Sequence, residues 1–280
     1  MDSLAGYVSD DELTVAPLAE LGWEVSTVSW RDESVDWNDF EIVALRTPWD
    51  YQNDTEAFLE VLTKIDASRA RLENPLSIIE WNLDKRYLRD LETKGITIVP
   101  TIWDDVELTE NAFIAWQTFF NSDELIIKPT VSATAQDTFR LRHFDLKMAK
   151  VFADRSFMIQ PFVNAIVDEG EFSLFYFSCE YSHTILKSPK TGDFRVQEEH
   201  GGFITAVVPE TKLRATADSI LATLSPMLYA RVDLVRNDTG EFMLMELELI
   251  EPALYFRMDA ESPRRFALAL DKLMNGNEQG

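Results

Sequence analysis

The sequence predicts an α/β unit followed by a larger, strand-rich α+β region, and three observations carry that reading. Helix-like and strand-like segments alternate in the first third, which implies a small parallel sheet. Beyond residue 120 most segments read as strands separated by short turns, which implies antiparallel pairing. The 280 residues, 46% hydrophobic and 27% charged, supply apolar material for one large core or two to three modest ones.

In order along the chain, "DELTVAPLAELG" predicts a helix stopped by Gly22, "EVSTVSW" a strand, "EIVAL" a buried strand and "TEAFLEVLTKIDAS" an amphipathic helix. Ligands of such sheets bind beyond the carboxyl ends of strands, which draws attention to "RTPWDY" at 46–51. A new unit starts at "NPLSIIEWNLDKRYLRDLETKG", where Asn-Pro breaks the chain and Leu83, Tyr87, Leu88 and Leu91 recur at helical spacing as far as Gly95. Lys85 falls in the first turn of that helix, where the helix dipole disfavours a cation, so an anionic partner is expected, Asp84 being the simplest. Strands follow at "ELIIKP", "FRLRHF", "SFMIQPFV" and "GEFSLFYFSCEYSHTILKS". Lys128 ends one of them before a loop of small residues containing Thr130, Ser132 and Thr134; it either faces a phosphate held by loop amides or reaches solvent.

Composition excludes several classes of function. A net charge of −23 argues against a nucleic-acid partner, and no apolar run approaches the roughly 20 residues of a membrane span. The N-terminal residues lack a basic segment followed by an apolar one, so a cytoplasmic protein is expected. A single cysteine, Cys179, permits no internal disulfide and, with three scattered histidines, no Cys/His zinc site; its apolar neighbours predict that it is buried. Glycine-rich phosphate loops, dinucleotide-binding turns, nucleophile elbows and kinase signatures are absent.

The segment "ARVDLVRNDTGEFMLMELELIEP" at 230–252 predicts a hairpin turning at 237–240. Alternation puts Glu246 and Glu248 on one face and Met243, Met245, Leu247 and Leu249 on the other. Pairing Arg236 with Glu241 would set Asp233 opposite Leu244, diagonal to Glu246, and Arg231 opposite Glu246. Three carboxylates on one face repel one another. Either the face is solvated, with Arg231 in a weak surface pair, or a cation is held there.

Taken in order, Lys85, Lys128 with its small-residue loop, "MIQPFV", "GEFSL" and "ARVDLV…MELELIEP" resemble the ATP-grasp fold. More narrowly, "RTPWDY", "WNLDKRYL", "GDFRVQEEHGG" and "YARVDLV…LMELELIEP" resemble the glutathione-synthetase-like ligases, in the branch that includes the O-ureido-serine cyclo-ligase of D-cycloserine biosynthesis. The resemblance implies an N-terminal α/β domain at 1–75, with its first strand lacking, and two α+β subdomains at 76–158 and 159–280 enclosing ATP. It implies ATP and Mg²⁺, with Mn²⁺ as an alternative, and a carboxylate joined to an amine through an acyl phosphate.

By this resemblance Lys85, Lys128 and Ser132 contact phosphates, Gln160 and Phe162 offer hinge backbone to adenine, and Glu171 binds the ribose. Arg195 and Arg231 face the transferred phosphate, while Asp233, Glu246 and Glu248 hold the metal, Glu248 standing where many relatives have Asn. Arg46, Thr47, Asp50, Tyr51 and His200 are candidates for the acceptor site, with packing of Trp49 and Tyr51 and an Arg46–Asp50 pair as the plain alternative. The implied partners are small carboxylate and amine substrates; a homodimer is compatible with the sequence. The loop after Lys128 has no glycine where relatives are glycine-rich, which leaves a non-catalytic, nucleotide-binding regulatory module as the alternative reading.

Overall fold

The computed structural model describes residues 1–103, 108–133 and 135–276. Helix α1 (Val15–Glu20) continues a 3-10 turn at Asp11–Thr14 and ends before Gly22, whose φ of +90° turns the chain away. Strand β1 (Ile42–Ala44) pairs in parallel with β2 (Arg71–Glu73), connected through α2 (Thr55–Asp66). The Asp54 carboxylate caps α2 by accepting from the Ala57 amide at 3.3 Å. Phe58, Leu62 and Ile65 then pack on Trp30, Leu45, Tyr51 and Leu72.

Two expectations fail in this unit. Residues 24–30 form no strand: Val25 and Val28 are exposed, and no described strand lies alongside to pair with them. The run at 41–45 is only half-buried across β1, because a two-stranded sheet packed by one helix leaves its other side partly open.

Where one helix is expected with Lys85 in its first turn, the segment forms two, α3 (Leu76–Leu83) and α4 (Tyr87–Thr93). At the break Asp84 is extended, and its carboxylate accepts from the Arg86 amide at 2.9 Å and the Thr130 hydroxyl at 3.1 Å. The Lys85 amide donates to the Thr130 carbonyl at 2.8 Å. These long-range bonds replace the intrahelical ones, so Lys85 lies ahead of α4 and not in its first turn.

Strands β3 (Ile102–Trp103), β4 (Leu125–Pro129), β5 (Phe139–Leu141) and β6 (Phe157–Pro161) form a four-stranded antiparallel sheet in the order β3-β6-β4-β5. Helices α5 (Glu110–Phe120) and α6 (Leu146–Val151) cover it, with Phe113, Trp116 and Met148 against Leu125, Ile127 and Ile159. The boundary expected at 158/159 therefore falls inside β6. After α7 (Ala165–Asp168) come β7 (Glu171–Phe177), β8 (Glu180–Ser188), β9 (Phe203–Ala206), α8 (Thr211–Leu221), β10 (Tyr229–Arg236), β11 (Phe242–Glu248) and α9 (Ser262–Asn275). Their strands make an antiparallel sheet ordered β11-β10-β7-β8-β9.

One face of this larger sheet packs on α8 and on Tyr87, Leu88 and Leu91 of α4, while Phe266, Ala267 and Leu270 of α9 join Phe175, Phe177 and Tyr229 in another core. Cys179 is exposed, contrary to expectation: it sits in the tight β7–β8 turn with φ +64°, which holds it out of the core its neighbours enter.

The last hairpin forms in a shifted register. The Asn237 side chain accepts from the amides of Thr239 and Glu241, and Gly240 turns at φ +80°, so the loop takes in Glu241 and Arg236 pairs with Phe242. A β-bulge at Met245 then slips the pairing again. Asp233 comes directly opposite Glu246, and Arg231 opposite Glu248. The bulge also separates the methionines from the leucines: Phe242, Leu244, Leu247 and Leu249 enter one core, whereas Met243 and Met245 pack by Val99 and Val235.

Candidate active site

Between the two antiparallel sheets lies a cleft lined by Lys85, Lys128, Ser132, Gln160, Phe162, Glu171, Arg195, Arg231, Asp233, Glu246, Glu248 and Tyr51, residues that the sequence spreads over 198 positions. The edge of β11 sets one wall. Its outer backbone groups are taken by side chains: Asn82 donates to the Leu247 carbonyl at 2.8 Å and accepts from the Leu249 amide at 2.9 Å, and the Leu247 amide donates to the Tyr87 hydroxyl at 2.8 Å. Lys85, between Asn82 and Tyr87, thereby reaches Glu246 at 2.9 Å and the Ser132 carbonyl at 2.9 Å.

The carboxylate face is met by cations of the chain itself. Arg231 pairs with Asp233 at 3.0 Å and with Glu248, and Lys187 pairs with Asp233 at 3.3 Å and with Glu171. Ser173 donates to Asp233 at 2.5 Å. Among the described residues no three carboxylates, histidines or cysteines stand around a common metal position. The donor chemistry nevertheless fits a hard cation, since Asp233 and Glu246 are a direct cross-strand pair of oxygen donors.

These contacts push the acids apart in acidity. Burial alone would raise Asp233, but Arg231 and Lys187 hold it below the ordinary carboxylate range; Lys85 and Lys128 do the same for Glu246. Glu248 and Glu251 go the other way: burial, with neighbouring acids adding to it, lifts Glu248 to about 7 and Glu251 to about 8. Lys128 is buried, and among the described residues its ammonium has no ion pair or hydrogen bond, so burial lowers its pKa against the partial support of Glu246.

Several expected roles meet a different geometry. The Phe162 amide is taken by the Glu124 carbonyl at 2.9 Å, so this residue offers its ring, which lies 3.6 Å from the Arg140 guanidinium, and not its N–H. Arg195 lines the cleft but is bound through two bonds to Asp193, at 3.1 and 2.9 Å. Thr134 lies outside the described residues.

Of "RTPWDY", only Trp49 and Tyr51 face the cleft. Arg46 is held by Asp11 at 3.1 Å and by the Pro252 carbonyl at 2.8 Å, Asp50 pairs with Arg31 and not with Arg46, and Thr47 does not line the cleft. His200 ends a 3-10 turn outside the lining, while its neighbour Glu199 is inside it.

Lys187 and Glu251 are the cleft residues that sequence reasoning missed. A lysine closing the apolar run "HTIL", directly across from Glu171, was the available signal for the first. Glu251 lay three residues past Glu248, beyond the end of the strand, where alternation no longer reports facing.

Comparison with known proteins agrees with this architecture. Residues 1–74 match the family described as D-cycloserine synthetase DcsG, N-terminal domain. The chain is 31% identical to the cycloserine biosynthesis protein DcsG of Streptomyces lavendulae over 268 residues, 89% of each chain. The crystal structure of D-cycloserine synthetase DcsG superposes with a TM-score of 0.83 at 28% identity over 94% of both chains. The D-alanine-D-alanine ligase of Coxiella burnetii shares the fold, with a TM-score of 0.62 at 13% identity over 85% of this chain and 71% of that one. With an ATP-grasp cleft between its two antiparallel sheets and this degree of identity along almost its whole length, the chain belongs to the DcsG family of ATP-grasp ligases, which are ATP-dependent enzymes.

Proposed function

We propose that this ligase activates a small amino-acid carboxylate as an acyl phosphate, using ATP, and that an amine-type nucleophile then displaces the phosphate. The observation that carries the reading is Lys128: a buried lysine with no ion pair among the described residues, in a chain of net charge −23, calls for an anionic ligand. Lys85 and Lys128 bind ATP phosphates, Ser132 and its loop close over them, the Phe162 ring and the Gln160 backbone hold the base, and Glu171 binds the ribose. Asp233 and Glu246, the cross-strand donor pair, would hold Mg²⁺, or Mn²⁺, with Glu248 the further carboxylate on that edge, and the ion would neutralise phosphate charge. Arg231 and Arg195 orient the transferred phosphoryl group and stabilise the anionic charge that develops on it, so catalysis is mainly positioning and electrostatics.

The relatives named for D-cycloserine synthesis favour a substrate of the same kind, an amino acid whose own nucleophile closes a ring. The test is ADP and phosphate release with Mg²⁺-ATP across a panel of amino acids that includes O-ureido-serine. Turnover is expected to require one panel member and to fall at least about 100-fold in Glu246→Gln, which removes a metal-binding charge. Nucleotide binding without turnover on any member would instead support the regulatory reading.

A further inference from the structure

Glu251 has no part in the phosphate and metal chemistry assigned above, yet it is the carboxylate least explained by packing. Its side chain is only 9% exposed, lines the cleft and has no hydrogen bond or ion pair with any described residue. The backbone beneath it is pinned: the Trp49 indole N–H donates to the Glu251 carbonyl at 2.8 Å, and Ile250 is buried in the N-terminal core. A carboxylate held in place without a partner is costly unless something cationic arrives.

Beside it stands Tyr51, 4% exposed, its ring stacked on Phe58 at 5.0 Å and its hydroxyl likewise without a partner. Of the charged groups around Tyr51, Glu251 acts on it most strongly, and burial keeps its hydroxyl protonated. The two side chains come from different parts of the chain and line the same cleft where the N-terminal unit borders the acidic strand. The acidic edge at Glu246, Glu248 and Glu251 disfavours an anion on this side, whereas Lys128, with no ion pair among the described residues, attracts one on the other.

We propose that Glu251 and Tyr51 form the subsite for the ammonium group of a zwitterionic amino-acid substrate, whose carboxylate is directed toward the phosphate-binding end of the cleft. The proposal rests on the ligase reading and narrows it to a free α-amino acid. An N-acylated substrate or peptide N-blocked at that position would leave the buried Glu251 carboxyl with no cation to pair with its ionised form.

The test is calorimetric titration of the protein, with Mg²⁺ and a non-hydrolysable ATP analogue, by serine, alanine, O-ureido-serine and their N-acetyl derivatives. A free amino acid is expected to bind at least about 10-fold more tightly than its acetylated form, the range for one charge-assisted hydrogen bond. Glu251→Gln is expected to abolish that preference with analogue affinity unchanged within about two-fold, and Tyr51→Phe to weaken it. The Glu251→Gln melting temperature should stay level or rise, since a buried carboxyl that no described residue pairs is replaced by a neutral amide of the same shape. Equal preference in wild type and Glu251→Gln, failure of every free amino acid to bind while the analogue does, or a Glu251→Gln variant that melts early would each overturn the subsite. Failure of the analogue itself to bind would overturn the nucleotide reading along with it.

Discussion

Buried ionisable side chains in this protein divide into those matched by the fold and those matched only by a ligand. Lys187 is of the first kind, held charged against burial by Asp233 and Glu171; Lys128 and Glu251, which pair with no described residue, are of the second kind under the proposals above. His183 is a third case, kept neutral. Its Nε2–H donates to the Leu254 carbonyl at 3.0 Å, its Nδ1 accepts from the Ser182 hydroxyl at 2.9 Å, and its ring stacks on Phe175 at 4.3 Å. Burial, aided by the Arg265 charge and outweighing the Leu254 bond and the Asp259 charge, lowers its pKa to about 4.

The unfolded chain therefore takes up a proton on His183 near pH 6.5 that the folded chain refuses until about pH 4, and stability falls as pH drops through that window. The full loss is about 3 kcal/mol. In denaturant titrations, the difference in unfolding free energy between wild type and His183→Gln is expected to change by about that amount between pH 7 and pH 4, to the disadvantage of the wild type. A difference that does not vary with pH would contradict this. At this scale the sequence exposed residue types and not partners: Lys85 was legible as a cation seeking an anion, but that its partner is Glu246, 161 positions away, and not adjacent Asp84, depends on the break between α3 and α4.

Elements place those side chains, and the hairpin shows where pattern reading stops. Alternation identified β10, β11 and the acidic face, yet the loop that absorbs Glu241 and the bulge at Met245 are set by side-chain bonds of Asn237 and by local packing, which alternation does not encode. Residues 24–30 failed as a strand for a related reason: β-branched residues favour a strand only where a neighbour supplies hydrogen bonds. The loop at 190–202 makes its own prediction, because it carries Phe194 and Arg195 into the cleft. A Cβ on Gly202 would lie 2.1 Å from the Val196 carbonyl oxygen, so Gly202→Ala must displace that backbone. ATP-dependent turnover is expected to drop at least about 10-fold while the melting temperature moves by less than about 4 °C, since the loop lies outside the cores. Unchanged turnover would show that the loop does not serve the cleft.

Across the whole molecule, the order of elements was legible because each segment carries its own period, and the ordered set of lysines, arginines and acids carried the resemblance to ATP-grasp ligases. Sheet packing was less so: α4 shares its core with the larger sheet and β6 belongs to the smaller one, associations made by tertiary contacts alone. The result is a strongly acidic protein with Lys85, Lys128, Lys187, Arg195 and Arg231 lining one cleft, an arrangement suited to a polyanionic nucleotide carried with a divalent ion. The central claim is that this cleft passes a phosphoryl group from ATP to a substrate carboxylate. The direct measurement is turnover of the panel's active amino acid carrying ¹⁸O in its carboxylate, followed by mass analysis of the phosphate released. The account requires one ¹⁸O atom to appear in phosphate at each turnover; phosphate free of label would contradict it.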